Sequence, residues 1–375
     1  VFYGAFDMRS EFIGKFNDFV ELSANNNYTD NYDYRRFGYP TLNKMSIFKT
    51  LIKKLIQRDF TYSTSSSKLA IIRADSEKFQ WLYEHLMDEE SKYLLIMLLA
   101  YRALGYKKVK LPLNTPEYWE RAAELDALTL GTDKIDLAFM DWQLWRQNLA
   151  PLGYPIELLT RPSGVMTEFI LQQYSCITEK DSIKVEEGDY VIDAGGCYGD
   201  TALYFAAKTG EMGRIFSFEF LPESLKVFEQ NLSFNPTLSG RIHIIKKPLW
   251  SNSDKDLYIL ANGPGTKVVE KSNDPTAKQI KTTSIDSFML HKNIPHIDFI
   301  KMDIEGSELE ALKGAEQTIN QHRPKLAIAI YHRLKDFWEI PQWIDSLNLG
   351  YTFRLRHFTI HQEETVLFAA ANSKQ

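Results

Sequence analysis

Before about residue 175, apolar positions recur at helical spacing. Phe79, Leu82, Tyr83, Leu86 and Met87 share one helix face, and Leu94, Leu95, Leu98 and Leu99 carry the period on to Gly105. The pattern predicts one long helix or two broken ones. A further helix is predicted with Thr115 as N-cap and Pro116 at the first helical position, ending before Gly131. Asn25 to Asn27 and Ser63 to Ser67 read as loops, because short polar side chains compete for backbone hydrogen bonds. Tyr28 to Tyr39 mixes aromatic, charged and amide side chains without a period.

From about residue 185 the pattern changes to short β-branched runs alternating with helical segments, as in a parallel sheet with crossover helices. Strands are predicted at Tyr190 to Asp193, Arg214 to Glu219, Ile242 to Lys246, Asp298 to Asp303 and Lys325 to Tyr331. Each is apolar on both faces, as a doubly covered strand should be. Helices are predicted near Thr201 to Lys208, Pro222 to Asn235, Ser307 to Asn320 and Leu334 to Leu347. Tyr351 to Phe358 and Glu364 to Ala371 are too close in sequence for a crossover, so they should pair as an antiparallel hairpin. The expected fold is α/β, a doubly wound and mostly parallel sheet with a reversed edge strand. A mainly helical region, residues 1–165, precedes a sheet domain over residues 166–375. Lys255 to Thr283 interrupts the alternation with Gly263-Pro264-Gly265, and reads as a surface hairpin or as a flap over the strand ends.

Composition narrows the function classes. A net charge of −5 gives no overall pull toward nucleic acid or an anionic membrane, and no nucleic-acid partner is expected. Cys176 and Cys197 are the chain's 2 cysteines and lack CxxC spacing, so neither a disulfide framework nor a zinc ribbon is expected. A reducing, cytoplasmic location is the corresponding expectation. The most apolar run, Tyr93 to Tyr101, falls well short of the ~20 residues that cross a bilayer and is predicted to be a buried helix. No basic segment followed by an apolar one marks a secretory signal in the sequence as it stands from Val1.

The densest chemical signal is Asp193-Ala194-Gly195-Gly196-Cys197-Tyr198-Gly199-Asp200-Thr201, between a predicted strand and a predicted helix. Glycines there allow tight turning and close backbone approach to a ligand, and the amides of a helix start favour electronegative groups. The glycines at 195, 196 and 199 do not follow the Gly-x-Gly-x-x-Gly spacing of dinucleotide sites. An acid just ahead of them would repel a pyrophosphate and suit an ammonium, which fits S-adenosylmethionine better than a nicotinamide dinucleotide. Glu219, about twenty residues beyond the loop at the end of the second strand, is placed to accept hydrogen bonds from ribose hydroxyls. The candidate cofactor residues are therefore Asp193, Gly195, Gly196, Gly199, Thr201, Glu219 and Asp303. For Glu219 the alternative is a solvated charge at a strand end.

These residues, with two later segments, carry a resemblance to a known family. Gln173-Tyr174 followed by VEEGDYVIDAGGCYGDT, then FIKMDIEGSELEALKGA from Phe299 to Ala315, then LRHF and ETVLFA resemble, in order, the FkbM family of S-adenosylmethionine-dependent methyltransferases. The family commonly has Asn where this chain has Cys197, and Glu-Pro where Phe220 and Leu221 separate Glu219 from Pro222. The resemblance covers about residues 170–371. It implies a Rossmann-like, class I methyltransferase sheet and methyl transfer to a hydroxyl of a sugar, glycan or natural product.

Asp303, Glu305 and Glu308 cluster at the end of one central strand and His332 ends the next, where open α/β sheets bind ligands. His332 is the expected general base, with Asp303 orienting it or holding a cation. A His simply satisfied by a neighbouring carboxylate is the bland alternative. Glu308 reads as a first-turn acid favoured by the helix dipole. His357 and His361 are weaker candidates, and Cys197 has no adjacent base to make it a nucleophile. A divalent metal such as Mg²⁺ at 303, 305 and 332 is left open. The competing classes are a nicotinamide-dependent oxidoreductase, disfavoured by the glycine spacing, and a non-catalytic module of the same fold.

Overall fold

A computed structural model describes residues 11–31, 33, 67–129, 132–137, 142–179, 181–274 and 277–371 of the chain. Of the loop expected at residues 63–67, residues 63–66 lie outside them and Ser67 is helical, and most of the aperiodic stretch at 28–39 lies outside them as well. The described residues fall into two compact units, one reaching Thr115 and including residues 359–362, the other running from Pro116 through the rest of the chain.

In the first unit, helix α1 (Glu11–Ala24) packs against α2 (Ser76–His85) and α3 (Glu89–Leu104). Phe12 lies within about 6 Å of the rings of Phe16, Phe79 and Tyr83, and all four are buried. Of the one long helix or two broken ones expected, the structure has two, and the second ends at Gly105 as its spacing implied. Asp88 caps α3 by accepting a hydrogen bond from the Ser91 amide. Leu94 to Tyr101 is buried throughout. Among the described residues no helix is long and apolar enough to cross a membrane.

The second unit begins with α4 (Pro116–Ala127) and a three-stranded antiparallel sheet, β1 (Lys134–Asp136), β2 (Gln143–Asn148) and β3 (Glu157–Thr160). A boundary near residue 165 was expected, with a mainly helical region before it. The structure divides the chain at Thr115/Pro116 instead, because these strands are tied to the sheet domain. Asn231 on α6 (Pro222–Phe234) accepts from the Leu159 amide at 2.7 Å and donates to the Leu159 carbonyl at 3.1 Å. Alternation too short and too polar to stand out concealed these strands. A turn of π-helix, Val165–Ile170, and a two-stranded ribbon, β4 (Cys176–Ile177) with β5 (Ser182–Ile183), lead into the main sheet.

Among the described residues that sheet has seven strands: β6 (Tyr190–Ala194), β7 (Arg214–Phe218), β8 (Ile242–Ile245), β12 (Phe299–Met302), β13 (Lys325–Ala329), β14 (Tyr351–His357) and β15 (Thr365–Ala371). Their order is β14-β15-β13-β12-β6-β7-β8. The hairpin was expected to place a reversed strand at the edge. It is β15 that runs antiparallel to β13, and β14 pairs outside it, so the reversed strand lies within the sheet and the edge strand follows the common direction. The cause is register: Ala327 faces Phe368 across β13 and β15, which buries the more apolar arm of the hairpin. Phe205, Phe299 and Phe368 are fully buried in this core, each contributing roughly 1.5–3 kcal/mol.

Helices α5 (Asp200–Thr209), α6, α7 (Ile285–Lys292) and α10 (Asp336–Ser346) lie among these strands in the chain order. The single helix expected over 307–320 is divided at Gly314 into α8 (Glu308–Lys313) and α9 (Glu316–His322). The interrupting segment forms a small antiparallel sheet of β9 (Asp256–Leu260), β10 (Lys267–Val269) and β11 (Gln279–Lys281), in the order β10-β9-β11. The hairpin reading holds for β9 and β10, to which the returning chain adds a strand.

Candidate active site

The turn from β6 into α5 is shaped by close approach to the neighbouring strands. Gly195 has φ +86°, and a Cβ there would lie 2.0 Å from the Asp303 carbonyl oxygen, so only glycine lets the loop meet the end of β12. The Gly195 and Gly196 amides both donate to the Phe218 carbonyl, at 3.1 and 3.0 Å, which binds the loop to β7. Gly199 opens α5 against the ring of Phe228. Cys197 sits between them at φ +43°, and burial pushes its thiol well above the usual range.

Asp193 is 0% exposed and its oxygens are already engaged. Thr201 Oγ1 donates to both at 3.1 Å, Ser217 Oγ donates at 2.7 Å, and Lys301 Nζ lies 3.0 Å away. Lys301 also donates to the carbonyls of Ala194 at 3.1 Å and Gly195 at 2.7 Å. Burial disfavours the ammonium, but Asp193 and Asp303 outweigh it and hold its pKa above the ordinary lysine value. The expectation that Asp193 faces a cofactor ammonium is therefore corrected. A carboxylate in a strand covered on both faces needs partners from the protein, and Asp193 and Thr201 act by holding the loop's shape. Lys301 went unremarked in the sequence, although a lysine inside the apolar run FIKM signals such a partner.

Glu219 follows β7 and accepts from the amides of Phe220 at 2.6 Å and Leu221 at 2.7 Å. Burial pushes its carboxyl up to about 7. It shares a pocket with Gly195, Cys197, Phe220, Leu249, Asp303 and Glu305. Pro264, Thr266 and Val268 of the small sheet line the same pocket, so that segment covers the strand ends as a flap would. Apolar walls from Phe220, Leu221 and Leu249 suit an adenine ring, and three lining carboxylates with one lysine, Lys247, suit a cationic cofactor better than a pyrophosphate. The residues present thus fit S-adenosylmethionine. Of the expected cofactor residues, Gly195, Glu219 and Asp303 line the pocket, whereas Gly196, Gly199, Asp193 and Thr201 support it from behind.

Beyond Asp303 lies a cluster of polar groups. The Tyr331 hydroxyl donates to both Asp303 oxygens at 3.1 Å, and the Tyr174 hydroxyl approaches at 3.4 Å. Burial, reinforced by Asp303, raises both phenols far above their ordinary value, so they remain donors. Burial also raises the Asp303 carboxyl. His332 Nε2 is 3.4 Å from both Asp303 Oδ1 and Glu305 Oε2, and its Nδ1 is 3.2 Å from Glu308 Oε1. Burial works against the imidazolium, but Glu308, then Glu305 and Asp303, prevail and raise the imidazole to about 11. A free imidazole poised near neutrality, as a general base requires, is not what these surroundings create. Three carboxylates converge on His332 where the sequence suggested one, and they favour its charged form over the free base that the general-base expectation requires. Glu308 is more than a dipole-favoured acid: it is 0% exposed and accepts from the amides of Ile304 and Gly306 at 2.8 and 3.3 Å.

The weaker candidates lie elsewhere. His357 Nδ1 is 2.9 Å from Thr365 Oγ1 across its own hairpin, and His361 Nε2 is 3.4 Å from Asp33 within the first unit. The cofactor pocket and the acidic cluster, both at the carboxyl ends of a sheet in this strand order, define a class I S-adenosylmethionine-dependent methyltransferase. Residues 193–354 match the family described as Methyltransferase FkbM domain, which makes this stretch an FkbM methyltransferase domain.

Two relatives extend the comparison. The chain is similar to Methyltransferase sdnD of Sordaria araneosa, at 27% identity over 41% of this chain and 71% of that protein. It is likewise similar to the Hexuronic acid methyltransferase AglP of Haloferax volcanii, at 29% identity over 44% and 71%. The crystal structure of Methyltransferase FkbM from Methylobacillus flagellatus KT shares the fold with a TM-score of 0.51 and 22% identity, over 80% of this chain and 60% of that one.

Proposed function

We propose that this chain transfers a methyl group to a hydroxyl oxygen of a sugar, glycan or natural-product acceptor. The observation that supports the reading is the pocket that Gly195, Glu219 and Asp303 share, since Asp303 belongs to the acidic cluster as well. The printed substrate class of one relative, a hexuronic acid, supports a carbohydrate acceptor. Bound in the pocket, S-adenosylmethionine supplies a methyl group already activated as a sulfonium. Glu219 holds the ribose hydroxyls, and the Gly195 turn sets the depth of the site. What remains for the chain is to align the acceptor oxygen and let its proton go. Asp303 and Glu305, the carboxylates on the pocket wall nearest the cluster, provide the anionic surroundings in which a hydroxyl proton is released. Free Cys176 and Cys197 fit a reducing compartment such as the cytoplasm.

The test is incubation of the chain with isotopically labelled S-adenosylmethionine and pools of glycans, uronic acids and small hydroxylated metabolites, followed by mass spectrometry. Label recovered as an O-methyl ether supports the reading. Label on nitrogen or carbon, or binding of NADH with no binding of either adenosyl compound, overturns it.

A further inference from the structure

We propose that Asp303, Glu305 and His332 bind a divalent metal cation beside the cofactor pocket, which Asp303 and Glu305 also line. Its catalytic role rests on the methyltransferase reading above, whereas the binding itself can be tested without any acceptor.

The orientation of His332 is the first ground. Glu308 is fully buried and pinned by the Ile304 and Gly306 amides, and its Oε1 faces Nδ1 of the imidazole at 3.2 Å. A cation must displace the proton that these carboxylates favour on Nε2; with Nδ1 still protonated toward Glu308, the Nε2 lone pair is then directed at Asp303 Oδ1 and Glu305 Oε2, each 3.4 Å away. The side chain is 4% exposed, and neither ring nitrogen has a well-formed hydrogen bond. An imidazole held by a carboxylate at one nitrogen and open toward further oxygen donors at the other is the arrangement of metal-ligating histidines.

Spacing is the second ground. The three donor atoms lie within 4.8 Å of one another, and among the described residues this is the grouping that could hold a metal ion. Ligands bound at right angles about 2.1 Å from a cation stand about 3.0 Å apart, so the two 3.4 Å contacts of His332 need only a small inward adjustment. Asp303 is further oriented by the Tyr331 and Tyr174 hydroxyls, as supporting groups orient metal-ligating carboxylates.

One imidazole with two carboxylates favours a first-row cation such as Mn²⁺ over Mg²⁺, which prefers oxygen donors. Three protein ligands leave positions open, as in catalytic rather than structural sites. The cation supplies Lewis acidity to an acceptor hydroxyl. The proton passes to water, the new O–C bond forms as the C–S bond breaks, and that bond's electron pair stays on sulfur to give the neutral thioether.

The full chain, stripped with EDTA and dialysed, is titrated with Mn²⁺ while the paramagnetic resonance of the free ion is followed. One bound ion per chain is expected. Glu305→Gln, at the most accessible of the three ligands, should weaken binding at least about tenfold, and Glu308→Gln roughly 10–100-fold. Retained binding of S-adenosylhomocysteine shows that each variant is folded. No Mn²⁺ or Mg²⁺ bound at millimolar concentration, or binding unchanged in both Glu305→Gln and His332→Ala, overturns the proposal and leaves a protonated His332 as the cluster's countercharge. O-methylation by a chain that binds no metal overturns this inference alone. Metal binding without methyl transfer to oxygen overturns the proposed function alone.

Discussion

Asp193 and Lys301 face each other across adjacent parallel strands, Oδ1 to Nζ at 3.0 Å, with neither accessible to solvent. Lys301 reaches past its partner to the carbonyls of Ala194 and Gly195, so a single ammonium joins the strand end to the first residue of the cofactor loop. Lys301→Met should therefore cost about 3–5 kcal/mol, the penalty of leaving a buried carboxylate unpaired. Lys301→Met combined with Asp193→Asn should cost less than Lys301→Met alone. Urea unfolding of the three proteins measures this, and equal losses in the single and double variants would show that the pair is not coupled.

Cofactor affinity should depend on pH through Glu219. Its carboxyl is pushed up to about 7 by burial, and the ionised form is the stronger acceptor for the ribose hydroxyls that the proposed function assigns to it. S-adenosylhomocysteine affinity should then be highest above pH 7 and fall by about tenfold per unit as pH drops below it. Glu219→Gln should bind more weakly by ~1.5–3 kcal/mol and lose that dependence. Calorimetry across the range checks both statements.

A methyl group at residue 195 has nowhere to go. Its carbon would sit 2.0 Å from the Asp303 carbonyl oxygen, on a backbone with φ +86°. Gly195→Ala is expected to lose at least about 1–3 kcal/mol by overpacking, and to lose S-adenosylhomocysteine binding, because the loop must lift from β12. Thermal melting with and without the ligand reads both effects; a wild-type ligand-induced shift in the variant would contradict the assigned contact.

Cys197 occupies left-handed backbone at φ +43°, which costs a non-glycine residue about 1–2 kcal/mol and which Asn tolerates better than most. Cys197→Asn should be neutral or stabilising and should keep methyl transfer. The raised thiol pKa also predicts slow alkylation of the native chain by iodoacetamide at neutral pH. Rapid alkylation, or loss of activity in Cys197→Asn, would mean that the thiol has a chemical role.

The sequence by itself determined the alternation that builds the sheet, the glycine loop before α5 and the acid after β7. These are local matters, decided by the period of apolar residues and by backbone freedom at a few glycines. Pairing across the sheet was decided elsewhere. The hairpin's antiparallel nature was legible from its short connection, but which arm meets β13 depends on Phe368 packing into the core, a contact between residues far apart in the chain. The same holds for the site. Position at strand ends marked Asp303, Glu305 and His332 as neighbours, and nothing local showed that Glu308 turns inward to make a third carboxylate on one imidazole. Nor could spacing show that Asp193 is turned from the ligand toward Lys301. A strand's register with its neighbour sets which side chains meet, and a buried charge is defined by its partners, so only the tertiary structure could assign these roles.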